Sequence, residues 1–419
     1  MDMTIMLVHS RKKRQLVVIK RRSKLKVKKD SPYPIKKHYT FVLYRGNIFH
    51  YIRLRGVLMK RQHINEIFII RAIACLSVVF LHSVNFGIEG YREVISSFEI
   101  FAYSALAMIF YFGTPTFVFI SELLLAHSYK DRIPDNFIIK RVKLILVPYI
   151  IMGFLYSFMD IYNGGIELSL NTFLIESSKN VFLGDFHGYF VLIIFQFYFL
   201  HLFIRKIINK FSSKKVLLIS LLINVAYLSF FKFVQPIDTP FFQYVWTRLY
   251  WIPFPGWIFY FFLGYYCGVD YFRVKHFVRK YKKAILIMPF VTLLAVFFFT
   301  YLDFFPRSSK RPDMIFYTCS VIFALFYITS LLSKVPNLLM IISKYSYGIY
   351  LTHMFFLYWL KPIYSLPIYI YIPILFILTT VLSIATVKLL NKFKVGQYIV
   401  GKIGVSSNNV RDKKIQKVS

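Results

Sequence analysis

From Ile64 onward the chain is a succession of mostly apolar runs of roughly 20 residues, separated by short charged segments. Each run is long enough for about 30 Å of hydrocarbon. None shows the period-2 alternation of a barrel strand, and in lipid only helices and closed barrels satisfy their own backbone. The pattern predicts an all-α polytopic membrane bundle of about ten transmembrane helices. The expected spans lie near 64–86, 99–127, 144–161, 187–205, 216–235, 251–269, 284–302, 314–332, 338–360 and 368–390.

Charge orders these spans. The connections after even-numbered spans are basic: KDRIPDNFIIKRVK (130–143), RKIINKFSSKK (205–215), FRVKHFVRKYKK (272–283) and the tail from Lys388. The connections near 87–98, 162–186 and 361–367 carry few Lys or Arg, so the positive-inside rule places both termini in the cytoplasm. One loop dissents: DFFPRSSKRPD (303–313) puts Arg307, Lys310 and Arg311 on the expected outer side, a pattern that also fits an anionic ligand. Three regions follow: a basic extension at 1–58, a transmembrane domain at 59–395 and a basic cytoplasmic tail at 396–419. The extension holds 16 Lys and Arg against two Asp, and its polybasic runs suit anionic lipid. Met59, followed by Lys60 and Arg61 just before the first span, also reads as an ordinary start.

Composition agrees with lipid as the main solvent: 57% of residues are hydrophobic, 20% are aromatic and the mean hydropathy is +0.56. The formal charge of +35 sits in loops and tails, where lipid headgroups are the nearest anions, so nucleic acid is not expected as a partner. Cys75, Cys267 and Cys319 fall in or beside apolar runs without metal-ligand spacing, and are expected to pack. No metal site is expected.

Ionisable side chains inside a span are expensive and functional by default. Arg71 and His82 are separated by ten residues. Eleven steps of about 100° return to within about 20° of the same helical face, and the rise of about 1.5 Å per residue sets them about 16 Å apart. Arg71 lies in the cytoplasmic half of its span and His82 in the outer half, with Glu66 nearer the cytoplasmic end. The bland alternative has Arg71 snorkelling to the interface and His82 bonding a neighbouring helix. Pro115 is expected to kink the second span toward the bundle centre. Trp246, Trp251 and Trp257 lie near span ends, where aromatics form interface belts or, less commonly, stack on sugars.

The segment RAIACLSVVFLH (71–82), an Arg, ten residues and a His, resembles the first-span signature of the acyltransferase-3 family of multispan enzymes that O-acylate carbohydrates. Further segments follow in family order: FGTPTFVFISELL (112–124), IIKRVKLILVPYIIMGFLYSF (138–158), FLGDFHGYFVLIIFQFYFL (182–200) and KYSYGIYLTHMFF (344–356), so the likeness runs from about 65 to 395. FGTPTFVFIS, HGYFVLIIFQFYFL and GWIFYFFLG (256–264) resemble most a branch tied to poly-β-1,6-N-acetylglucosamine, for which export and O-succinylation are the two readings.

The resemblance implies a membrane O-acyltransferase, moving a succinyl or acetyl group onto an exopolysaccharide. Its expected donor is acyl-coenzyme A, and a membrane polysaccharide synthase is a possible neighbour. Arg71 with Lys140, Arg141 and Lys143 would hold the donor's phosphates. His82 would deprotonate the accepting hydroxyl or carry the acyl group. His353, in YLTHMFF, matches the family's late-span His and reads either as a cavity residue or as a satisfied core histidine. His187, Tyr189 and Gln196 form a candidate acceptor-side group, while His201 is expected to pack. Many family members have Ser-Gly where this chain has Ser121 and Glu122. Glu122 is therefore an added intramembrane acid, expected to pair with Arg71, Arg141 or a histidine, with a catalytic role as the alternative.

An exporter would need a wide polar lumen, yet the spans contain few polar residues beyond those named. The chain has no P-loop to couple transport to ATP. A purely structural partner of a synthase would leave Arg71 and His82 unexplained.

Overall fold

The computed structural model describes residues 64–130 and 132–404, and in the amino-terminal extension only short backbone segments. The chain divides into two units, Met1–Gln62 and His63–Ser419. In the first, Met3–Ser10 and Lys13–Lys20 pair as an antiparallel ladder and Tyr44–Arg45 pairs with Ile48–Phe49, strands the sequence reading did not expect. Met59 lies outside the described residues, as does the tail beyond 404.

In the second unit every regular element among the described residues is helical. In chain order these are α1 (Asn65–Gly90), α2 (Ser97–Ile109), α3 (Gly113–Ser128), α4 (Phe137–Arg141), α5 (Val147–Asn163), α6 (Leu170–Leu183) and α7 (Phe190–Ile204). There follow α8 (Ser213–Phe233), α9 (Pro240–Trp251), α10 (Ile258–Val269), α11 (Tyr271–Lys280), α12 (Lys282–Tyr301), α13 (Pro312–Ser330), α14 (Asn337–Trp359), α15 (Ile368–Leu390) and α16 (Gly396–Ile399). One π-helical turn, Val142–Leu146, joins α4 to α5, and a 3-10 turn, His187–Tyr189, leads into α7.

Eight described helices or helix pairs are long and apolar enough to cross a membrane, against the ten expected. The two that fall short have different reasons. The span expected at 251–269 is broken at Ile252–Pro253, leaving the twelve-residue α10, only about 18 Å long at 1.5 Å per residue. At 338–360 α14 is long enough, with 23 residues, but it carries Ser343, Lys344, Ser346, Thr352 and His353 and is less apolar. Three other expectations also change. The connection at 162–186 contains α6. The span at 99–127 is two helices interrupted at Phe110–Phe112. Pro115 does not kink a helix, because it sits in the first turn of α3, where a backbone N–H has no intrahelical acceptor.

Apolar faces of α8 (Leu218, Ile219, Leu222) and α12 (Ile287, Phe290, Leu294, Phe298) are exposed, as lipid-facing surfaces require. Inside the bundle α1 packs on α3, α14 and α15, and α3 runs along α10. That last contact is set by two glycines one turn apart on α10. A Cβ at Gly264 would lie 2.5 Å from the Phe119 carbonyl oxygen, and one at Gly268 would lie 2.3 Å from that of Leu123. Small residues at i and i+4 let helix backbones approach this closely in lipid, where dispersion rather than hydrophobic burial drives packing. Gly113 does the same for α3 on α1, its Cβ position lying 3.0 Å from the Ala74 carbonyl. Replacing Gly268 by Val should therefore force α3 and α10 apart and destabilise the bundle by about 1–3 kcal/mol. The check is a lowered midpoint in detergent thermal unfolding relative to the parent.

Candidate active site

The shared face of α1 carries two different environments. At the Arg71 end lies a cavity of about 400 Å³. Its wall combines Ile120, Phe117 and Leu124 with Arg71, Arg141 and Tyr198, and Ser121 and Tyr350 also line it. The Arg141 guanidinium lies 5.1 Å from the centroids of both Phe137 and Tyr198, so the two rings fix it. Among the described residues no carboxylate pairs with Arg71 or Arg141. Two guanidiniums without acids on one mostly apolar wall suit a ligand with an anionic head and a long uncharged arm. Lys140 and Lys143 are exposed and do not line this cavity.

The intramembrane acid is neutralised elsewhere. Glu122 Oε1 lies 2.6 Å from His201 Nδ1, and both side chains are fully buried. Of the partners expected for Glu122 the histidine is the one it has, and His201 does more than pack. Ser121, one step round α3, faces the cavity while Glu122 faces α10. Near the start of α1, Glu66 accepts from Lys275 of α11 at 2.8 Å.

At the other end of the face three histidines from distant parts of the sequence meet. The ring of His353 lies 5.3 Å from that of His82 and 5.0 Å from that of His187. His187 Nε2 is 3.0 Å from the carbonyl oxygen of Tyr350. His353 Nδ1 is 2.8 Å from the same oxygen and 3.0 Å from that of Ile349. A carbonyl can only accept, so both nitrogens donate. The proton of a neutral His353 is thereby held on Nδ1, leaving Nε2 a buried lone pair without a protein partner. His82 is half-buried beside it. Among the described residues no group of three or more His, Cys, Asp or Glu is arranged to hold a metal ion.

Two tyrosines brace this cluster. The Tyr350 hydroxyl, from α14, donates back to the His187 carbonyl, and the same side chain lines the Arg71 cavity. The Tyr156 hydroxyl donates to the Leu351 carbonyl at 2.9 Å and accepts from the Phe355 N–H at 2.9 Å. Those two backbone groups are one turn apart on α14, so Tyr156 is wedged into the helix ladder on either side of His353. The sequence reading missed this role. Its signal was a tyrosine in an otherwise apolar span, too common in this aromatic chain to stand out.

The remaining candidates fall into place around the site. Tyr189 follows His187 and stacks near Trp251 at 5.6 Å. The Gln196 amide is committed to backbone, donating to Ile252 O at 3.0 Å and accepting from Phe254 N–H at 2.9 Å. It closes the break between α9 and α10. In the loop before α13, Arg311 is buried in a two-pronged pair with Asp313 (2.9 and 2.6 Å) and Arg307 is exposed. Lys310 is buried with its ammonium 3.9 Å from the Trp251 centroid. Burial, and then the Arg248 guanidinium, push that ammonium down to about 7. Cys75 and Cys267 are buried, and with Cys319 they are free thiols.

Residues 64–388 match the acyltransferase-3 family model, described as an acyltransferase domain. The chain belongs to the acyltransferase-3 family. It is similar to YfiQ of Bacillus subtilis (strain 168), provisionally named a membrane-bound acyltransferase, with 38% identity over 82% of this chain and 95% of that relative. It is also similar to a Staphylococcus aureus (strain N315) protein named as a probable poly-β-1,6-N-acetyl-D-glucosamine export protein, at 29% identity over 80% of this chain and 95% of the relative. A Staphylococcus epidermidis protein of the same name is 28% identical over 70% of this chain and 81% of its own length. No solved structure matches the chain. The family and the apolar helices together make this a multi-pass bacterial membrane acyltransferase.

If Tyr156 positions His353, Tyr156→Phe should lower acyl transfer by roughly tenfold to a hundredfold through misplacement of the ring. Membrane insertion and detergent elution should stay as in the parent, and measuring both separates positioning from unfolding.

Proposed function

We propose that the protein is an integral membrane O-acyltransferase that moves a succinyl or acetyl group from cytoplasmic acyl-coenzyme A to a hydroxyl of an exopolysaccharide, such as poly-β-1,6-N-acetyl-D-glucosamine. The observation that carries this reading is the arrangement along α1: a cavity with two guanidiniums at one end, and at the other His82 beside two histidines tied to the Tyr350 carbonyl. The staphylococcal relatives' names support the choice of polymer, and the basic connections support a cytoplasmic Arg71 end.

In the proposed reaction Arg71 and Arg141 hold the donor's phosphates, and the acyl thioester extends along the roughly 16 Å to His82. His82 takes the proton of the accepting hydroxyl as its oxygen attacks the thioester carbon. The new C–O bond forms, the C–S bond breaks, and the proton passes from His82 to the departing thiolate. His353 and His187 remain neutral and keep the ring cluster in place. A polysaccharide synthase in the same membrane would supply the acceptor.

Export is the reading that the staphylococcal names carry. One comparison separates the two: ester-linked acyl groups on the secreted polymer, and total polymer outside the cell, in parent and His82→Gln strains. The expected result is ester reduced at least a hundredfold with secretion maintained, in keeping with the roughly 10²–10⁴ that general base catalysis supplies. Polymer retained inside the cell would overturn the acyltransferase reading in favour of export. With purified protein, Arg71→Ala and Arg141→Ala should each raise the KM for acyl-coenzyme A at least about tenfold, since a charge-assisted contact is worth roughly 1.5–3 kcal/mol. The kcat should move less, as both arginines bind rather than react.

A further inference from the structure

Beside the histidine end of the site lies a second cavity, of about 300 Å³, between the end of α8, α9 and the loop from Asp303 to Pro312. Its wall combines hydrogen-bonding and aromatic side chains: Lys232, Gln235, Asp303 and Lys310 with Tyr250 and Phe231. None of the first four side chains makes a hydrogen bond or ion pair within the described protein, so their donors and acceptors are free for a ligand.

The wall is built rather than incidental. Lys310 is 8% exposed, with its ammonium 3.9 Å from the Trp251 centroid and 5.4 Å from that of Tyr189. Its carbonyl accepts from the Tyr250 hydroxyl and its N–H donates to Ser308 Oγ at 3.1 Å. Arg311 anchors the next position to Asp313 and, at 2.6 Å, to Thr300 Oγ1. Asp303 holds a left-handed backbone, φ 50°, unique among the described non-glycine residues and most readily adopted by Asp or Asn. Lys310 also links this cavity to the reacting end, because its ammonium lies over the ring of Tyr189, two residues from His187.

We propose that this cavity is a carbohydrate subsite, taking one pyranose unit of the acceptor adjacent to the unit that presents its hydroxyl to His82. Asp303 and Gln235 bond the sugar hydroxyls, Tyr250 and Phe231 offer ring faces, and Lys310 forms the wall toward the histidines. A volume near the lower end of ligand pockets, roughly 300–1,000 Å³, fits a sugar unit and not a passing polymer. Naming the ligand a saccharide rests on the acyl-transfer reading. The lysines also make an anion the competing occupant.

Full-length protein in lipid nanodiscs, without any donor, should bind a soluble β-1,6-linked N-acetylglucosamine trisaccharide saturably, with a change in tryptophan fluorescence from the ring under Lys310. Asp303→Asn keeps the left-handed turn and Gln235→Ala changes an exposed side chain, so both should fold. Each should weaken trisaccharide binding about three- to tenfold, as loss of one hydrogen bond predicts, and leave coenzyme A binding as in the parent. Unchanged trisaccharide affinity in both variants overturns the subsite. So does a saturable fluorescence change produced by inorganic phosphate or succinate but not by the trisaccharide. Because the measurement needs no transfer, trisaccharide binding in a protein that never forms an ester would refute the acyl-transfer reading alone.

Discussion

In hydrocarbon every backbone N–H and C=O must find its partner inside the protein, and in this bundle side chains of the candidate site bond to that backbone. The carbonyl of Tyr350 accepts from both His187 and His353, and the Tyr350 hydroxyl returns a bond to the backbone of His187. Two bonds therefore tie the turn before α7 to α14, and the third is internal to α14. Tyr156 adds a hydroxyl to the ladder of α14 on either side of His353. The position and protonation of the histidines follow from this backbone bonding, and the orientation of the site rests on the same bonds that close the fold.

Charge is distributed with matching economy. Glu122 is held by His201, Glu66 by Lys275, Asp185 by Arg248 and Asp313 by Arg311. These four acids are thus held by structural partners, whereas Arg71, Arg141 and Lys310 have no carboxylate partner among the described residues. An uncompensated cation in low dielectric is tolerated only where a cavity, an aromatic ring or a ligand screens it. Arg71 and Arg141 lie on the larger cavity and Lys310 on the smaller.

The two cavities also differ in a way that burial alone does not explain. The larger joins two guanidiniums to a wall of aliphatic and aromatic side chains with a few hydroxyls, and the smaller joins an amide, a carboxylate and two ammonium groups to Phe, Leu, Pro and one phenol. A donor with a charged head and an apolar-compatible arm matches the first, and a hydroxyl-rich acceptor matches the second. Tyr350, which lines the first, bonds to His187, and Lys310, which lines the second, lies over Tyr189 two residues further along.

The helical membrane class, most spans and the shared face of Arg71 and His82 were legible in the sequence because each depends on local quantities: run length, hydropathy and an angle of about 100° per residue. The same local logic read one continuous run across the break at Ile252–Pro253, which hydropathy does not register, and it read α6 as a connection. It placed His353 and His187 as separate candidates and left Glu122 with three possible partners. Only the tertiary structure decided that residues 82, 187 and 353 meet, that Glu122 pairs with His201, and that Lys310 is buried on Trp251 while Lys140 stays exposed. Those outcomes depend on how closely helix backbones approach, and here that distance is set by Gly113, Gly264 and Gly268 acting between segments far apart in the chain. A hydropathy pattern fixes which residues enter the membrane, but not which of them share a neighbour there.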